Sequence, residues 1–142
     1  MSGGEAPPRT LVCVDSSVAF KWFCSENESS IDEALALLAD HQDGRSLIAA
    51  PPHMPAEVLN GLHHRLTSME VAHLAAALGG MDILYHGWSS ELLVEAAALA
   101  TRHNLTVHDA LFPALAVLLD CELVTADRAQ ARVTECPVRL LR

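Results

Sequence analysis

TLVCVDSSVAFKWF (10–23) decides the fold. Leu11 to Val14 form a short apolar run that ends on an acid, Asp15. A run without polar alternation is the mark of a strand covered on both faces. No Gly or Pro follows, so the chain passes straight into a helix over SSVAFKWF, with Ser16 placed to cap it. A buried strand leading directly into a helix is the opening of an α/β unit.

The pattern continues outward. SENESS (25–30) is a polar loop, and IDEALALLADHQDG (31–44) an amphipathic helix with a glycine stop. SLIAAP (46–51) reads as a second strand ended by Pro51, and Pro55 opens a helix through AEVLNGLHHRL. A further helix covers 67–80, capped by Thr67 or Ser68. MDILYHG (81–87) is a short strand, 89–104 strongly helical, and 106–120 an apolar helix interrupted by Pro113. CELVTAD (121–127) is a strand ending on a second acid. A short helix and a last strand, PVRLL (137–141), complete the chain. The expectation is one α/β domain over 10–142, behind a lead-in over 1–9. Its central, mostly parallel sheet is flanked by helices on both faces, with TLVCVD in the middle.

Composition narrows the function classes. The chain has 142 residues, 51% hydrophobic and 19% charged, so it is neither disordered nor fibrous. Nine basic residues, of which only Lys21 is lysine, face 18 acidic ones for a net charge of −9. That balance opposes a protein that coats nucleic acid through a broad basic surface. It leaves open an enzyme whose acids hold cations. No stretch is apolar enough to span a membrane, and no secretory leader is visible. Cys13, Cys24, Cys121 and Cys136 lack CxxC spacing and read as buried free thiols. Eight histidines invite zinc, but no HExxH or zinc-finger spacing is present. The alanine-rich stretches 71–78 and 96–100 read as helix packing surface, part of it available to a dimer.

Four acids stand out: Asp15 and Asp127 at strand ends, Glu57 and Asp109 at helix starts. Each has an ordinary role alone. Asp15 and Asp127 suit caps, Glu57 suits the helix dipole, and Thr106 to Asp109 fits a capping box. Together they are harder to explain, because strand ends and the helix starts after them share one face of a doubly wound fold. Four carboxylates there repel one another unless divalent cations occupy the cluster. Hard oxygen donors suit Mg²⁺ or Mn²⁺.

VDSSVAFKWFCSEN resembles the opening of PIN-domain proteins of the VapC toxin type. PAEVLNGLHHRL resembles their second motif, and HDALFPALA followed by LVTAD their third and fourth. The order and spacing, 15 to 57 to 109 to 127, cover nearly the whole chain. The resemblance implies a Mg²⁺-dependent endoribonuclease, with Mn²⁺ able to substitute, whose catalytic and metal-holding quartet is Asp15, Glu57, Asp109 and Asp127. Ser17, Thr125 and, by its position at i+3 from Glu57, Asn60 would orient carboxylates or a water. An activated water would attack the RNA phosphodiester, with metal charge stabilising the leaving oxygen. His108 stands where the family usually has Tyr. Pro113 stands where it usually has an aliphatic residue, and a kink is expected there.

The implied biology is the toxin of a type II toxin–antitoxin pair. It is expected as a cytoplasmic homodimer that cuts RNA and is silenced by a small antitoxin encoded beside it. The antitoxin would place an Arg or Lys in the acidic site and lie in a groove walled by helix 31–42 and the helix from Pro55. Lys21, Arg65 and Arg128 are candidate contacts to the RNA backbone. The competing expectation is a PIN-like module that binds RNA or protein and cleaves poorly.

Overall fold

The computed structural model describes residues 8–142. Most of the expected lead-in, residues 1–7, lies outside the described residues. Arg9 is anchored: its guanidinium donates to the carbonyls of Ser46 (3.1 Å) and His41 (2.9 Å).

The elements follow the sequence pattern. They are β1 (Thr10–Val14), α1 (Ser16–Phe20), α2 (Ile31–Gln42), β2 (Ser46–Ala50), α3 (Met54–Leu62), α4 (Ser68–Gly79), β3 (Leu84–Tyr85), α5 (Ser90–His103), α6 (Val107–Leu119), β4 (Glu122–Thr125) and β5 (Val138–Leu140). Short 3₁₀ turns occupy His63–Arg65 and Gln130–Arg132. All five strands are parallel, in the order β3-β2-β1-β4-β5. As expected, β1 is central; Val12, Cys13 and Val14 are buried. The edge strands are the two shortest, which limits unpaired edge backbone.

Strand order reverses around β1. The chain moves outward through β2 and β3, then returns to the other side of β1 as β4. Right-handed crossovers therefore put α1–α4 on one face and α5–α6 on the other. The switch point lies between β1 and β4, where such folds open a crevice at the strands' carboxyl ends. The helix α6 is the most deeply set, with Ala110 through Ala116 all buried. It lies between α5 and strands β1 and β4.

Pro113 does not break α6, which runs unbroken from Val107 to Leu119. The first helix is capped by Asp15 and not by Ser16: the Asp15 carboxylate accepts from the Ser17 N–H. Both residue types cap well, and Ser16 is engaged elsewhere. The alanine-rich stretches divide. Ala96, Leu99 and Ala100 of α5 are packed, whereas Ala72, Ala75, Ala76 and Ala77 of α4 are exposed and only Leu78 is buried. All four cysteines are free, and three are buried. His41 shows why a buried histidine need not be a ligand. Its Nδ1 accepts from Ile48 N–H (3.0 Å), and its Nε2 donates to the Met81 carbonyl (2.7 Å), tying α2 to β2 and the chain before β3.

Candidate functional site

The carboxyl ends of β1 and β4 carry Asp15 and Thr125, both buried. Asp15 Oδ2 accepts from the Ser17 N–H (3.1 Å), the Ser17 hydroxyl and the Thr125 hydroxyl (3.3 Å). Its Oδ1 accepts from the Gln130 amide at 3.0 Å. Burial pushes the Asp15 carboxyl above its ordinary range, hydrogen bonds from Ser17 and Gln130 pull it down, and the neighbouring charge of Glu57 pushes it up again. The balance is a raised value. Ser17 also accepts from Ala126 N–H (3.0 Å), and Thr125 from Asp127 N–H (3.0 Å). The loop after β4 is thereby locked to the loop after β1. Ser17 and Thr125 thus both hydrogen-bond one carboxylate, that of Asp15.

Glu57 reaches this centre from the first turn of α3. Its Oε1 accepts from the Ser16 hydroxyl at 2.8 Å. Gly61 permits the approach: a Cβ there would lie 2.9 Å from the Phe20 ring of α1. Asn60 is exposed and makes no hydrogen bond to the acids among the described residues. Ser16, from another helix, orients Glu57 in its place. His53 joins α3 to α6: its Nε2 lies 3.1 Å from the His108 carbonyl and 3.7 Å from Glu57 Oε1, and its ring packs on Phe112. His108 itself is exposed.

Asp109 starts α6 beneath this bridge. Its N–H donates to the Thr106 hydroxyl (3.1 Å). The return half of the expected capping box is absent among the described residues, so the carboxylate is uncommitted. Asp127 is partly spent, since its Oδ1 accepts from Ala129 N–H (2.8 Å) and opens the 3₁₀ turn. The centre is thus tightest around Asp15, with Glu57 coupled to it by charge. Asp109 and Asp127 adjoin it through backbone contacts. Among the described residues, no three His, Cys, Asp or Glu side chains stand in a metal-binding arrangement. The donor chemistry nevertheless suits a hard cation: both Asp109 oxygens are without a hydrogen bond among the described residues, and Asp15 Oδ1 has one.

Two residues escaped sequence reasoning. Ser16 was visible only as a cap. Gln130, 1% exposed, gave no signal beyond lying one turn past Asp127. Lys21 departs from its expected role: it is buried, with its ammonium on Glu28 (2.9 Å) and the Ser29 carbonyl (2.7 Å). It lines an open cavity of about 500 Å³ beside the site, with Ser17, Phe20, Ala126 and Arg128.

The PIN domain family model matches residues 12–135. The chain belongs to the PIN domain family. A comparison with curated proteins finds no sequence match. Among solved structures, this PIN domain is similar to VapBC2 of Rickettsia felis bound to a promoter DNA fragment. The TM-score is 0.68 at 14% identity, over 94% of this chain and 100% of that one. It is similar to VapC20 of Mycobacterium tuberculosis, a sarcin-ricin loop cleaving toxin, with a TM-score of 0.66 at 17% identity over 89% and 98%. A toxin–antitoxin complex from Klebsiella pneumoniae gives 0.64 at 18%, over 89% and 98%. At such identities the likeness is one of fold. No helix among the described residues is long and apolar enough to cross a membrane.

Proposed function

We propose that this PIN domain is a divalent-metal-dependent endoribonuclease and the toxin of a type II toxin–antitoxin pair. The observation that carries the reading is the Asp15 centre. A buried carboxylate is held by side chains from both sides of the switch point, under the charge of Glu57, while Asp109 keeps an uncommitted carboxylate nearby. The Ser17 bond serves as a helix cap, but capping has no use for the bonds from Thr125 and Gln130 or for the uncommitted Asp109, and nuclease chemistry does. The neighbours named as toxins support the biological setting.

In this reading Asp15, Glu57, Asp109 and Asp127 hold Mg²⁺ or Mn²⁺. Bound there, the metal would supply positive charge for phosphodiester hydrolysis and acidify a water. The chain's own residues do the positioning. Ser17 and Thr125 keep Asp15 turned to the crevice, and Ser16 keeps Glu57 beside it. Arg128, exposed at the rim of the cavity, is placed to meet an RNA phosphate. The antitoxin would silence the site with a cation, Arg fitting two carboxylates at once, and a homodimer is the expected assembly.

Incubation of the purified protein with cellular RNA in Mg²⁺, Mn²⁺ or EDTA, followed by sequencing of the ends, tests the activity. Cleavage is expected with either metal and none with EDTA. RNA binding without cleavage in Mg²⁺ and Mn²⁺ would favour the binding-module reading. Co-purification with the product of the adjacent gene tests the antitoxin.

A further inference from the structure

We propose that Gln130 is a positioning residue that sets the Asp15 carboxylate against the first turn of α6, and that Pro113 makes its anchor available. The amide of Gln130 donates twice from Nε2. One bond goes to Asp15 Oδ1 (3.0 Å), the other to the backbone carbonyl of Asp109 (3.2 Å). In an uninterrupted α-helix, the carbonyl of residue 109 accepts from the N–H of residue 113. Proline has none. The carbonyl of Asp109 is therefore left without its helical partner, and Gln130 takes it.

The orientation of the amide follows from its neighbours. A carboxylate and a carbonyl both only accept, so the NH₂ end must face them. The other end is left bare: Gln130 Oε1 is buried without a hydrogen-bond partner among the described residues. A buried amide with an orphaned oxygen is unfavourable as packing, and Leu or Met would fill the space without that penalty. What the amide alone provides is the pair of N–H bonds. Gln130 also belongs to the 3₁₀ turn opened by Asp127. One side chain thus ties the Asp127 turn to Asp15 and to the backbone of Asp109.

The catalytic part of this inference rests on the proposed nuclease function, and the test separates the two. In wild-type protein, both Gln130 Nε2 protons should exchange slowly with water by NMR. Pro113→Ala restores a competing N–H, and one of the two protons should exchange faster. Gln130→Met should weaken Mn²⁺ binding, read by calorimetry with the metal alone, by about tenfold to a hundredfold. It should lower kcat by a similar factor and leave KM for RNA unchanged. Because both changes act through one carbonyl, the double variant should be no worse than Gln130→Met. Gln130 protons that exchange as fast as those of an exposed glutamine overturn the proposal whatever the activity, and so does a folded Gln130→Met variant with unchanged Mn²⁺ affinity and kcat. If Gln130→Met fails to fold, the exchange data on wild type and Pro113→Ala still decide. If wild type neither binds Mn²⁺ nor cuts RNA, the nuclease reading falls, while slow exchange still upholds the positioning role.

Discussion

Two helices of this protein begin with the same device and use it differently. Before α4, Thr67 and Glu70 close a full capping box: Glu70 N–H donates to the Thr67 hydroxyl (3.2 Å), and Glu70 Oε1 accepts from Thr67 N–H (2.9 Å). The backbone bond holds the Glu70 carboxyl below its ordinary range. Before α6, Thr106 and Asp109 form only the first half. Asp109 is one methylene shorter, and its carboxylate receives no hydrogen bond from the cap. The first box explains its acid completely; the second leaves an acid beside the Asp15 centre. An acid in the first turn that the cap does not use is left free for another role.

The largest expected effect tests that asymmetry directly. Asp109→Asn should reduce RNA cleavage about a thousandfold, because a neutral amide is a poor ligand for a hard cation and metal charge is worth several kcal/mol in the transition state. The same variant in EDTA should melt at or above the wild-type temperature. It gives up no hydrogen bond among the described residues, and it removes one negative charge from the proposed cluster of acids. Undiminished cleavage by Asp109→Asn would put the second box on the same footing as the first.

A matched pair of cap deletions sharpens the comparison at smaller scale. Thr67→Ala and Thr106→Ala each remove one N-cap, at about 1 kcal/mol, or about 4 °C in melting temperature for a domain of this size. The stability losses should be alike. Thr67→Ala should leave cleavage unchanged, whereas Thr106→Ala releases the Asp109 N–H and should cost about tenfold in kcat, as small misplacements of reacting groups do. Equal activity in the two variants would mean that Thr106 has no part in positioning Asp109.

The same contrast explains what the sequence could and could not reveal. Strand positions were legible because each run is apolar and punctuated by Gly, Pro or an acid, and β1 announced its central place by lacking alternation. The place of Asp15 at a strand end was legible from the apolar run before it, whereas Thr125 was singled out only through the resemblance of LVTAD to the family's fourth motif. What failed was partner choice across elements. Asn60 lay on the correct helical face, but Glu57 found Ser16 on α1. Ser16 and Asp15 are both good caps, and only the pull of Glu57 on Ser16 separates them. Lys21 reads as a surface cation until Glu28 folds over it. Gln130 reads as an ordinary polar residue in a turn. It is buried and donates to a carbonyl in a distant helix, a pairing that no local pattern encodes.

The smallest effect concerns a third carboxylate, which local structure explains as fully as Glu70. Glu135 accepts from Arg102, from His103 (2.8 Å) and from Thr134 N–H (3.1 Å), pinning the end of α5 to the chain before β5. Desolvation pushes its carboxyl up, but the bonds from Arg102, His103 and Thr134 outweigh it and bring the value from 4.5 to about 2. The folded value lies below the unfolded one. The contribution to stability is therefore complete above 4.5 and is lost as pH falls toward about 2. The group lies near the surface and is screened by solvent, so the contribution is about 1 kcal/mol or less. Urea unfolding of wild type and Glu135→Gln should show that difference at neutral pH, and the gap should close through the acid window. Cleavage at neutral pH should be unchanged. A gap that persists below the folded value would assign the effect to packing of the side chain, and a fall in cleavage would draw Glu135 into the same class as Asp109.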